Sequence, residues 1–131
     1  MTPVLLTIVE QGGYPDLTDR YRSMGLEVIK ATHQRKALKL IKAHPPDIVL
    51  AEFIYTPDFR DRIGNLDTLA GQLRAHYPDT RLIVLYEPED RASLKRFRAI
   101  HPVFTELAHP ASGEQLIDAV QAAIEARPPK T

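Results

Sequence analysis

The chain has 131 residues, 44% of them hydrophobic and 26% charged, values that fit one globular domain with a single core. Seventeen basic residues balance seventeen acidic ones, so the chain lacks the positive field that a dedicated binder of nucleic acid or anionic membrane needs. It has no cysteine, which excludes disulfides, a thiol nucleophile and thiolate metal sites, and no apolar run approaches the ~18 residues of a membrane span.

Met1-Thr2-Pro3 leads straight into an apolar run with no basic flank and no cleavage-site pattern, so no signal peptide is expected and a cytoplasmic protein is. Val4 to Val9 is continuous rather than alternating and reads as a strand buried on both faces. Glu10-Gln11-Gly12-Gly13 is a loop, and a helix runs from Pro15 or Asp16 to about Met24, ended by Gly25. Leu26 to Ala31 alternates partly, as an edge strand does. Residues 34–44 form a helix with Ala37, Leu38, Leu40 and Ile41 on one side, stopped by Pro45-Pro46.

Ile48 to about Phe53 is the third strand and ends at an acid, Glu52. The loop from Tyr55 to about Ile63 exceeds the 2–6 residues of an ordinary strand-to-helix connection. It carries Tyr55, Phe59, Arg60 and Arg62, with Phe53 just ahead, residue types enriched at binding hot spots, so this segment is a candidate partner contact; the alternative is that Phe53 and Tyr55 fold back on the core. Leu66, Leu69, Ala70 and Leu73 mark a third helix, and Arg81 to Tyr86 a fourth strand. Glu89 to Ile100 is a charged helix with Leu94 and Phe97 as its buried contacts. Val103 to Leu107 is a weak fifth strand. Ser112 caps a last helix from Gly113 to Ala126, with Leu116, Ile117, Val120 and Ile124 as its core stripe. Residues 1–127 make the domain, and 128–131 read as a tail or the start of a linker.

Strict alternation of strands and helices predicts a three-layer α/β sandwich: a parallel sheet of five strands, joined by right-handed crossovers, with helices on both faces. Length and element count favour the flavodoxin-like order 2-1-3-4-5. In such a fold the chemistry sits at the carboxyl ends of the strands, where Glu52 is placed.

With that alternation, with "PPDIVLAE" leading through the third strand and with "TELAHPAS" before the last helix, the chain resembles the receiver domain of two-component response regulators, the CheY-like family, over roughly residues 3–126. The resemblance puts Glu52 at the position of the phosphate-accepting Asp. It puts Glu10-Gln11 where receivers carry two magnesium-holding acids, and Tyr86-Glu87 where they carry Thr or Ser and a small residue. His109-Pro110 takes the place of Lys-Pro, with a cis peptide implied, and Glu106 that of an aromatic switch residue. The architecture is kept and every chemical position is changed. Phosphoryl transfer needs an in-line acceptor, a divalent ion and groups to neutralise the transferred oxygens. The resemblance therefore implies a pseudo-receiver: a regulatory module, not an enzyme, with no cofactor and with a protein partner in a signalling pathway.

Alternatives stay open. Glu10 and Glu52, with Glu87 nearby, are a candidate magnesium site, since hard cations prefer oxygen ligands. Against this, Glu52 pairs with a Lys, an Arg or His109 while Glu87 faces solvent. Glu52 as a standing mimic of an aspartyl phosphate is a further reading, as is an atypical phosphorylatable regulator, or a small-molecule binder in the strand-end cleft. His109 is either a pH-sensitive imidazole beside the carboxylates or an ordinary loop histidine. Arg91, Lys95 and Arg98 make one side of the fourth helix basic and, with Glu106, form a candidate partner face, including for a homodimer. Gly12-Gly13 fits neither a G-x-G-x-x-G nor a P-loop and reads as a turn.

Overall fold

A computed structural model describes residues 2–10, 12–55 and 65–126. The strands are β1 (Val4–Ile8), β2 (Glu27–Ala31), β3 (Ile48–Phe53), β4 (Arg81–Tyr86) and β5 (Thr105–Ala108). The helices are α1 (Thr18–Ser23), α2 (Gln34–Ala43), α3 (Asp67–His76), α4 (Arg91–Ile100) and α5 (Gly113–Ala126). All strand pairs are parallel and the sheet order is β2-β1-β3-β4-β5, as the alternation predicts.

The period of two along each strand divides the core between the two faces of the sheet. On one face Leu6, Ile8, Val49, Ala51, Val84 and Tyr86 pack with α2, α3 and α4. On the other Leu5, Val28, Ile48, Leu50, Ile83 and Leu85 pack with α1 and α5. All six β3 residues are buried, which explains why that strand reads as an unbroken run. Each fully buried Leu or Ile contributes about 1.5–3 kcal/mol relative to exposure. Among the described residues no helix is long and apolar enough to cross a membrane.

Several boundaries differ from expectation. Helix α1 starts at Thr18, later than Asp16, because the Asp16 side chain accepts hydrogen bonds from both the backbone N–H and the hydroxyl of Thr18, forming a turn ahead of the helix. The stretch 89–100 opens as a 3₁₀ turn, Pro88–Asp90, before α4. Strand β5 runs 105–108 rather than 103–107. The buried stripe of α5 is Leu116, Ala119, Val120 and Ala123, with Ile117 and Ile124 at its margin, because small alanines let the helix lie close on the sheet. Ser112 caps α5 reciprocally with Gln115: Ser112 Oγ accepts from Gln115 N at 3.1 Å and Gln115 Oε1 from Ser112 N at 2.8 Å.

His101 closes α4. It is 7% exposed, its ring centroid lies 4.8 Å from that of Phe97, and its buried Nδ1 has no hydrogen-bond partner among the described residues. Burial, then the nearby Arg74 charge, holds its pKa below the ordinary histidine value, with Asp67 opposing. A lowered folded pKa means that the unfolded chain takes up the proton first. The stability is therefore complete above the unfolded value of about 6.5 and is lost as pH falls through it toward the folded value. The urea midpoint is expected to drop between about pH 7 and about pH 5.5, and more steeply in the wild type than in His101→Phe. Equal slopes would assign the drop to other groups.

Candidate functional site

The parallel sheet delivers the ends of β1, β3, β4 and β5 to one edge. Glu52 pairs with Leu85 in the register and Tyr86 with both Phe53 and Ala108, so the exits of three neighbouring strands lie abreast. Glu52 continues the Ile48–Leu50 alternation but is itself only 4% exposed. Its carboxylate is turned back onto the β1–α1 loop. Oε1 accepts a hydrogen bond from Gly12 N at 2.9 Å and Oε2 one from Glu10 N at 3.2 Å. The loop can point its amides inward because Gly12 and Gly13 adopt φ of +87° and +90°, a region that glycine enters without strain. Hydrogen bonds from N–H groups to a carboxylate are charge-assisted and stronger than neutral ones.

Asn65 ties this arrangement together. Its Nδ2 donates to Glu10 Oε2 at 3.0 Å and to the Glu52 backbone oxygen at 2.9 Å, while its Oδ1 accepts from Ile54 N at 2.6 Å. Its own N–H donates to the Ile54 carbonyl at 3.0 Å. One side chain thus joins the exits of β1 and β3.

His109 makes the third connection. Its Nε2 lies 3.0 Å from the Gly13 carbonyl oxygen. A carbonyl only accepts, so Nε2 carries the proton and donates. Nδ1 lies 3.5 Å from Glu87 Oε2, and the Tyr14 ring stands edge-on to the imidazole with centroids 5.1 Å apart. Burial, then the Glu87 and Glu52 carboxylates, push the Tyr14 phenol above its ordinary value, so it stays protonated and neutral. The His109–Pro110 peptide is cis.

The carboxylates at this edge are already engaged by neighbouring groups. Both Glu52 oxygens face the positive ends of N–H dipoles, Glu10 Oε2 faces the Asn65 amide, and Glu87 is turned to His109. Among the described residues no three His, Asp or Glu side chains are grouped so as to hold a metal ion. Glu10, Glu52 and Glu87 thus lie near one edge without converging. Nor does Glu87 simply face solvent: it is drawn to His109, while Glu52 is held by the first loop. Tyr86 is buried in the α2–α4 core with the Arg91 guanidinium carbon 5.9 Å from its ring centroid. Gln11 lies outside the described residues.

On the candidate partner face, Arg91, Lys95 and Arg98 are exposed along one side of α4. Arg98 Nη1 pairs with Glu106 Oε2 at 3.1 Å, fastening α4 to β5. Phe59, Arg60 and Arg62 lie outside the described residues. Phe53 is not a surface contact. It is fully buried, with its ring centroid 5.4 Å from that of Phe97, because the last β3 position points into the α2–α4 core. Tyr55 also packs against that core, with the Arg96 guanidinium carbon 5.7 Å from its ring centroid. Two site residues, Asn65 and Tyr14, are not apparent from the sequence pattern. The one local signal for Asn65 is its type and place, a turn-forming side chain just ahead of α3.

No family profile and no curated protein matches this sequence. Solved structures do match in shape. The signal receiver domain of an HD domain-containing protein from Pseudomonas fluorescens Pf-5 superposes with TM-score 0.72 at 19% identity, covering 95% of this chain and 96% of that one. The non-phosphorylated HemR receiver domain from Leptospira biflexa gives 0.73 at 19% identity over 98% and 99%. The receiver domain of NtrX from Brucella abortus gives 0.67 at 16% identity over 93% and 98%. With its strand order, its helix placement and these neighbours, the chain has the CheY-like receiver fold of response regulators.

Proposed function

We propose that the chain is a signal-transduction module of receiver type that has lost its phosphoacceptor and works in the cytoplasm by contact with a partner protein rather than by catalysis. The observation that carries this reading is the state of Glu52. An acceptor must present a carboxylate oxygen outward, in line with the incoming phosphorus. Here both oxygens are engaged inward by the Glu10 and Gly12 amides. His109, at the place of the receiver lysine, spends its Nε2 proton on the Gly13 carbonyl. What remains for signalling is the surface, and the basic side of α4 supplies a patch suited to an acidic partner.

The test is incubation with a small acyl phosphate and magnesium, read by intact mass and by light scattering on the same sample. No phosphoryl adduct and no change in oligomeric state are expected. A stable adduct that maps to Glu52 would overturn the proposal.

A further inference from the structure

A second feature shares Tyr14 with the His109 contact. Helix α1 spans only six residues, Thr18–Ser23, and the segment from Gly12 to Leu17 before it is not helical. Beneath it opens a pocket of about 260 Å³. The strands β1, β3 and β4 supply Thr7, Leu50 and Leu85, α1 supplies Tyr21, and α5 supplies Leu116. Tyr14 lines the pocket as well as touching His109.

Two hydroxyls give this apolar space direction. Thr7 is 9% exposed and Tyr21 is 3% exposed, and both line the pocket. Burial, then the Asp16 carboxylate, pushes the Tyr21 phenol up to about 12, with Arg20 opposing, so it stays protonated. Small-molecule sites are mostly apolar, with a few polar groups in the lining that fix orientation. At the rim, Lys30 Nζ is 2.9 Å from Asp16 Oδ2, so the nearest cation is already neutralised.

From these observations we infer that the pocket is a binding site for a small, neutral, planar aromatic molecule of two fused rings carrying one N–H or O–H. An apolar cavity of about 150 Å³ accommodates benzene, so a space of about 260 Å³ admits a bicycle but little more. The tyrosine rings offer edge or offset contacts to such a body. The hydroxyls of Thr7 and Tyr21 meet its one polar group. Because Tyr14 belongs to both places, occupancy is sensed at the His109 contact, which gives a module without a phosphoacceptor a chemical input.

Indole is a suitable probe, since the chain has no tryptophan and the emission of indole is read without background. Saturable one-to-one binding with a blue shift is expected. Amide shifts should centre on Thr7, Leu50 and Leu116. Thr7→Val keeps the shape and removes the hydroxyl, and should weaken binding about threefold to tenfold. Val9→Phe should fill the pocket and abolish binding. Absence of saturable binding to the wild type, amide shifts centred elsewhere, or a Thr7→Val variant with unchanged affinity would overturn the inference. None of these results bears on whether Glu52 accepts phosphate.

Discussion

Glu52→Ala is expected to lower the stability of the fold by about 3 kcal/mol. The change removes the acceptor for the Glu10 and Gly12 amides in a place where the side chain is almost wholly enclosed. A buried donor left without a partner costs about 1–3 kcal/mol, and bonds to a charged acceptor lie at the upper end of the scale. Release of the desolvated carboxylate offsets part of this, which keeps the sum below twice the single value. With urea m-values of about 1–3 kcal/mol/M, the midpoint should fall by about 1–3 M. Glu52→Gln retains one acceptor oxygen but turns an NH₂ group toward an N–H, so a smaller loss, roughly half, is expected. An Ala midpoint equal to the wild type would mean that water serves the two amides as well as the carboxylate does.

The same geometry predicts that Glu52→Asp does not restore the wild-type stability. One methylene fewer shortens the reach by about 1.5 Å, and the two amides then cannot both be met. The extra length of Glu52 is what lets it act as a strut under the first loop. A residue with that task is held inward, as the proposed loss of acceptor chemistry requires.

How far the sequence carried the reading follows from the range of each interaction. The strands were legible because burial on both faces leaves continuous apolar runs, and β3 is buried at every position. Helix α4 was legible because Leu94 and Phe97 stand alone in a charged stretch. Glu52 could be placed at the sheet edge from the end of its strand. Its direction could not, because that depends on an amide 40 residues away and on positive φ at two glycines. Asn65 was missed for the same reason, since its bond to Glu10 spans 55 residues. Phe53 sits where strand gives way to loop, so its sequence position alone left core and surface open; its place in the Val49–Ala51 alternation and its packing on Phe97 put it in the core. The late start of α1 came from an Asp16–Thr18 turn competing with the first helical turn.

Phe97→Ala should be the most damaging single truncation in the outer layer, costing about 3–5 kcal/mol. The ring is 0% exposed and stands between Phe53 on the sheet and His101 at the end of its own helix, with centroid separations of 5.4 and 4.8 Å. Helix α4 buries only Ser93, Leu94 and Phe97, so it loses its largest anchor and keeps a single aliphatic contact. The loss is a large part of the 5–15 kcal/mol that holds a typical domain together. It should also be uneven. Hydrogen exchange is expected to accelerate through α4 before α5, whose four buried residues lie on the opposite face of the sheet. Lys95→Ala, on the exposed side of the same helix, should stay within about 0.5 kcal/mol of the wild type. Together these variants separate the two faces of α4, the aromatic side that fixes the helix and the exposed basic side. If Phe97→Ala cost less than about 1 kcal/mol, the neighbouring side chains would have closed the cavity, and α4 would be too loosely seated to present a defined surface.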